Sequence, residues 1–186
     1  ADQVDCDTGT DDQAIDALTS TVGRFASHPN CVGSVNAEYH SGVRFPNITV
    51  AQGAMISSAY IDLRVTAAST SIVDFTIYGE DVDNSSAFTA FTDCADPCAN
   101  GVDSRTKTTS STAQSIQFAT NTYRIDVTDL VQEIVCRGAA NTQPCVGDFN
   151  GAGTWASGNA LALLLISTVD SGSDNYYLAI CKTDSI

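Results

Sequence analysis

Basic side chains are scarce in this sequence: 8 lysines and arginines stand against 22 aspartates and glutamates, giving a formal charge of -14 over 186 residues. A surface of that sign repels nucleic acid phosphates and anionic lipid headgroups, which excludes DNA, RNA and membrane insertion as working partners. Histidine is rarer still, and His28 and His40 are the only two. His28 lies in the turn-like stretch SHPNC and His40 just before the first strong strand pattern, with no G-x-S-x-G elbow in the chain. A nucleophilic Ser or Cys therefore lacks an evident base, and both histidines read as loop or surface residues. Glu38, Glu80 and Glu133 are the only glutamates. Glu133 is expected on the solvent face of a helix, which leaves no pair of acids facing across a sugar cleft. The segment GAGTW at Gly151 to Trp155 lacks the Lys-Ser/Thr and the following helix that a phosphate loop needs. Trp155 is the sole tryptophan. It is expected in the core, with Tyr39, Tyr60, Tyr123, Tyr176 and Tyr177 in the core or at sheet edges rather than on a sugar-stacking platform. The expectation from these shortages is a chain that is not an enzyme.

What is present is strand periodicity. From Gly42 to Val65 the sequence reads GVRFPNITVAQGAMISSAYIDLRV, with apolar and polar residues alternating on both sides of Gln52-Gly53. The pattern predicts an antiparallel hairpin turning there, with Val43, Phe45, Ile48 and Val50 facing Ile56, Ala59, Ile61, Leu63 and Val65. A further strand is expected over 71–80 (SIVDFTIYGE), then a long surface excursion over 81–115 with a short edge strand near Phe88 to Phe91. Strands return at 115–118 and 122–127. A helix is expected over 126–137, DVTDLVQEIVCR, where Val127, Leu130, Val131, Ile134 and Val135 recur at steps of three and four and Asp126 or Thr128 can cap the start. The run ALALLLIS, 160–167, is too short to span a bilayer and reads as a central buried strand. Residues 176–181 (YYLAIC) read as the last one.

With 43% hydrophobic and 16% charged residues, the chain can build one well-buried core, so one domain is expected over 21–186. Residues 1–20, ADQVDCDTGTDDQAIDALTS, are acidic and show little periodicity. They read as an N-terminal arm, with Cys6, Ile15 and Leu18 available to anchor it on a neighbouring subunit. The Asp5, Asp7, Gly9 and Asp11 spacing is only faintly like a calcium loop, since no bidentate Glu follows. Strands at turn-punctuated spacing with one helix give the fold class all-β: a jelly-roll β-sandwich of two antiparallel sheets, with an immunoglobulin-like sandwich second.

Seven cysteines, Cys6, Cys31, Cys94, Cys98, Cys136, Cys145 and Cys181, are many for a reduced domain, and most are expected in disulfides. Cys94 with Cys98 and Cys136 with Cys145 would close short loops, while Cys6, Cys31 and Cys181 remain for longer bridges or a link to another chain. No C-x-x-C pair points to zinc. The start at Ala1 fits a secreted precursor trimmed before it, and equally a chain that has lost its initiator Met and was oxidised after release. For a cation, the acid-rich loop Glu80, Asp81, Asp83 and Asn84 at a strand end is the place to expect structural calcium. Asn47-Ile48-Thr49 and Asn84-Ser85-Ser86 match the N-glycan acceptor pattern.

Two kinds of segment carry a family likeness. Gly42, Arg44, Phe45, Asn47, Gly53, Ala54, Ile56, Ala59 and Leu63 match the opening of jelly-roll, carbohydrate-binding-module-like modules of phage virion structural proteins and large secreted bacterial proteins. The segments YGEDVDNSSAF, DVTDLVQEIVCR and WASGNALALLL are similar to that family's middle and closing parts, so the resemblance covers about residues 40–167. It implies a non-catalytic sandwich used for display, adhesion or decoration of a particle. The chain differs from that pattern in its cysteines, its loop over 92–114 and its insertion between Cys136 and Trp155. The resulting expectation is a structural or interaction subunit on a virion surface or in an extracellular assembly. Its partners would be copies of itself or a capsid-type scaffold protein. The alternative is a carbohydrate-binding module that takes surface glycans.

Overall fold

A computed structural model describes residues 3–7, 10–15, 38–64, 68, 72–88, 102, 104–149 and 151–167. Among the described residues eight strands and one α-helix follow one another: β1 (Gln3–Asp7), β2 (Thr10–Ile15), β3 (Glu38–Phe45), β4 (Tyr60–Arg64), β5 (Ile72–Glu80), β6 (Lys107–Gln117), β7 (Thr122–Asp126), α1 (Thr128–Val135) and β8 (Leu161–Ser167). Six strands form one sheet in the order β1-β2-β3-β8-β5-β6, and β4 and β7 form a second. Every pairing is antiparallel except β2 with β3, which is parallel. The fold is all-β with one short helix.

The apolar run of β8 is the centre of the large sheet, held between β3 and β5. Its odd residues Leu161, Leu163 and Leu165 face the main core with Val43, Phe45, Phe75 and Ile77. Its even residues Ala162 and Leu164 face the other way, under Phe88 and Val102. A strand covered on both faces has no solvent side to mark with polar residues, which is why the sequence there is unbroken rather than alternating. Each fully buried leucine contributes about 2 kcal/mol. The main core closes against Ile61 and Leu63 of β4, Ile125 of β7, Leu130, Val131, Ile134 and Val135 of α1, and Trp155. The Trp155 indole N–H donates to the Val50 carbonyl at 2.9 Å, so its one polar group is satisfied inside the core. Phe118 stacks on Phe75 and meets Tyr123 edge-on at 5.0 Å.

The hairpin expected at Gln52-Gly53 does not form. Phe45 instead pairs with Leu161 of β8, and Tyr60 to Arg64 pair with β7 in the other sheet. Residues 46–59 are irregular and cross from one sheet to the other. The turn is real but has another task. Gly53, at φ 71, donates its N–H to Val135 O at 3.0 Å, and the Gln52 amide donates to Arg137 O at 2.7 Å. Those carbonyls belong to the end of α1, where the helix has no internal donors left to satisfy them. Alternation alone could not tell a hairpin from a crossing that caps a helix.

Other expectations shift in detail. The helix is shorter than 126–137: Asp126 ends β7, and its Oδ1 accepts the Thr128 N–H at 2.8 Å. The Thr128 hydroxyl in turn accepts the Ala59 N–H at 2.9 Å. The surface excursion ends earlier than residue 115, because β6 begins at Lys107 and pairs with β5 along its length. Within residues 1–20, Gln3–Asp7 and Thr10–Ile15 are strands at one end of the large sheet, β1 at its edge and β2 between β1 and β3, and Ile15 sits opposite Val43. Backbone ladders hold an edge strand without side-chain periodicity, so composition gave no sign of it. The edge strand expected over 88–91 lies outside the described residues beyond Phe88, as does the whole of the strand expected at 176–181. Among the described residues no helix is long and apolar enough to cross a membrane.

Candidate functional site

The polar side chains that sequence reasoning singled out converge where β5 ends and residues 81–88 fold back over the large sheet. Asp81 N–H donates to Thr106 O at 2.8 Å and Ser85 N–H to Ala160 O at 2.9 Å. Asn84 Oδ1 accepts the Ala160 N–H and the Asn159 amide donates to Asp83 O, both at 2.8 Å. Arg44 Nε adds a bond to Ser85 O at 2.8 Å. The loop is thereby stitched to the start of β8 by its own backbone and by asparagines.

Two arginines neutralise its acids. Arg105 NH1 donates to Glu80 Oε2 at 2.7 Å, and the Ser85 hydroxyl donates to the same oxygen at 2.5 Å. The Arg105 guanidinium also lies 3.9 Å over the centroid of the Phe88 ring and donates to Ser86 O and Ala87 O. A planar cation stacked on an aromatic face and bonded at its edge is geometry that lysine cannot copy. The Phe88 ring itself lies on Gly42, where a Cβ would run into it. On the other side of the loop Arg137 donates through Nε to Asp83 Oδ1 at 2.9 Å and through NH1 to Asp81 Oδ1. Burial pushes the Asp83 carboxyl up, but bonds from the Arg137 guanidinium and the Thr154 backbone, with the arginine's charge, hold it below the ordinary value. Arg137 is affected in the mirror sense: burial works against its charge, and Asp83 and Asp81 outweigh it, so its pKa is raised.

Glu80, Asp81, Asp83 and Asn84 are thus brought into one corner, each facing a protein partner. Calcium was the cation expected there; in the structure Glu80 faces Arg105, and Asp81 and Asp83 face Arg137, guanidinium groups that bring positive charge to the loop. Among the described residues no three His, Cys, Asp or Glu side chains converge as a metal-ligand group. Arg105 and Arg137 went unremarked in the sequence, yet the signal was there: with so few basic residues among so many acids, a cation in an acid-rich fold is drawn into pairs.

Glu133 is the clearest departure from expectation. It is 4% exposed, not solvent-facing. Its two oxygens accept the N–H groups of Thr109 and Ser110 at 2.7 and 2.8 Å. Those residues lie in a bulge of β6, where the register passes from Tyr78↔Ser111 to Glu80↔Lys107. Extra residues in one strand leave their donors outside the ladder; the carboxylate takes them. Gln132 is buried too, accepting the Ile56 N–H at 2.8 Å and donating to Ala54 O at 3.0 Å. The helix is buried all round from Leu130 to Val135, so its polar residues point at backbone rather than water.

Cys136 and Cys145 are joined in a disulfide, as the short spacing led one to expect. Both are buried, and the bridge ties the loop after α1 to the helix end that Gln52 and Gly53 cap. Cys6 is placed in β1, and Ile15 at the end of β2. His40 lies in β3. Leu18, His28, Cys31, Cys94, Cys98 and Cys181 lie outside the described residues. Compared with protein-family models, with curated proteins and with solved structures, the chain matches none.

Proposed function

We propose that this chain is a non-enzymatic structural subunit, a jelly-roll sandwich displayed on a virion or in an extracellular assembly and bound to copies of itself or to a scaffold protein. What supports the reading is the use made of the charged groups on α1 and at the end of β5. Glu133 carries two bulge N–H groups, Glu80 holds Arg105, and Asp81 and Asp83 share Arg137. The groups that acid–base chemistry would draw on are committed to fixing loops to a sandwich. The disulfide between Cys136 and Cys145 fits an oxidising setting. A sandwich with an acidic composition and a disulfide-stapled loop suits a particle exterior.

The carbohydrate-binding alternative has less to stand on. Trp155 is in the core, and among the described residues Tyr60 is the large aromatic side chain left exposed, with Arg124 5.5 Å from its ring centroid. A single ring makes a poor sugar platform. The test is fractionation of the protein from its native source on a size gradient. The reading expects it to travel with a particle far larger than one chain, and recovery wholly as free single chains would refute it.

A further inference from the structure

The two outer edges of the large sheet differ in kind. At one edge β1 carries Asp5 and Asp7, beside Asp11 and Asp12 of β2. Charged residues in the sequence of an edge strand are a common guard against pairing with another chain. At the other edge β6 has 11 residues and, among the described strands, pairs with β5 alone. From Thr108 to Tyr123 the sequence TTSSTAQSIQFATNTY holds no charged residue and no proline, in a chain whose charge is -14. Past the bulge filled by Glu133, residues 111–117 run in regular register with β5, without the charge, proline or bulge that would blunt this edge. Their outward side chains Ser111, Ala113, Ser115 and Gln117 are small or polar and exposed.

We infer that the β6 edge, residues 111–117, is the contact by which two copies of this chain pair, antiparallel, about a twofold axis at Gln114. The occupant follows from charge. Two molecules this acidic repel over most of their surfaces, and the uncharged strip lets two backbones come to ladder distance with no like charges opposed. Antiparallel pairing of a strand with its own copy is self-complementary, as a closed dimer requires. With Gln114 on the axis, Ala113 lies opposite Ser115 of the second copy, and Ser111 opposite its Gln117. The inference deepens the assembly reading, on which it rests for its biological sense, by naming the surface used.

The register supplies the test. Ala113 and Ser115 are exposed on the same sheet face, so the double variants Ala113→Glu/Ser115→Glu and Ala113→Lys/Ser115→Lys should fold with the melting temperature of a single chain intact. In the paired register each puts like charges directly across from one another. Sedimentation velocity of the full chain should give a dimer for the unchanged protein and single chains for either variant alone. An equimolar mixture of the two variants should restore the dimer, since Glu then faces Lys. Single chains for the unchanged protein would overturn the inference. So would variants that assemble as well as the parent, but that result leaves the assembly reading standing on another surface. A dimer that responds to these charges yet never enters a larger particle supports the edge contact and counts against the particle reading alone.

Discussion

The carboxylate of Glu133, on the helix, holds the N–H of Ser110, in the edge strand, at 2.8 Å, and the N–H of Thr109 beside it at 2.7 Å. One side chain thereby joins α1 to the bulge of β6, and a residue with every sequence cue of a solvent-facing helix position becomes an internal brace. Replacing it should be costly. Glu133→Ala leaves two part-buried donors without their acceptor, at about 1 kcal/mol each where water can reach them, so the denaturant midpoint should fall by the equivalent of about 2 kcal/mol. Glu133→Gln keeps one acceptor oxygen and should lose about half as much.

Gly79 is the neighbour of that brace. A Cβ there would sit 2.6 Å from Ile134 Cδ1 and 3.0 Å from Thr108 Cγ2, so the Ile134 side chain would have to shift within a filled core. Gly79→Ala should therefore destabilise by about 1–3 kcal/mol through overpacking, read by thermal melting. Ile134→Val in the same molecule removes the nearest methyl and should recover part of the loss.

Acid should loosen the loop after β5. The Asp83 carboxyl is buried enough to be pushed up but is held below its ordinary value by Arg137 and Thr154, and Asp126 is held low by the hydroxyl and N–H of Thr128. A carboxyl whose folded pKa lies below its unfolded one adds stability that is complete above the unfolded value, about 3.9, and is lost as pH falls through the folded one. Stability measured by urea titration should fall steeply below about pH 4. Asp83→Asn should lower stability at neutral pH and flatten that acid limb; an unchanged limb would remove Asp83 from the account.

Arg137 ties Asp81, Asp83, the end of α1 and residues 151–155 together: its own carbonyl accepts from Trp155 N–H at 3.1 Å, and Gly138 N–H donates to Gly151 O at 2.9 Å. Because this guanidinium supplies the loop's positive charge, added calcium should leave the melting temperature of the unchanged protein where it is. Arg137→Ala, which strips the acids of their partner, should lower the melting temperature, though by less than the loss of a fully buried pair, because Asp81 and Asp83 are partly exposed to screening water; calcium should then restore part of the loss. A calcium-dependent rise in the unchanged protein would return the loop to the role its sequence first suggested.

The extent to which this molecule could be read from its residues follows from which forces write themselves into sequence. Burial does: the run at Ala160 to Ser167, the helix stripe from Leu130 to Val135 and the alternation of Phe75 and Ile77 were all legible, because each records an apolar environment. Partners do not. Val43 to Leu63 alternate whether they form a hairpin or belong to two different sheets, and it is the partner strands β8 and β7, with the capping of Val135 O by Gly53, that distinguish the cases. The strands β1 and β2, at one end of the large sheet, rest on backbone bonds that any sequence can make. At the polar corner the acids were legible as a cluster, but their meaning depended on Arg105 and Arg137, distant in sequence from Glu80 and Asp83. Cys136 and Cys145 were legible as a pair because a short loop leaves them few other places to go.

The central claim, that this is an assembling subunit, is met most directly by native mass spectrometry of the full, unreduced chain near neutral pH. The account predicts even multiples of the chain as the principal species, with Cys136 and Cys145 bridged within each copy. A spectrum of single chains at every concentration tried would contradict it.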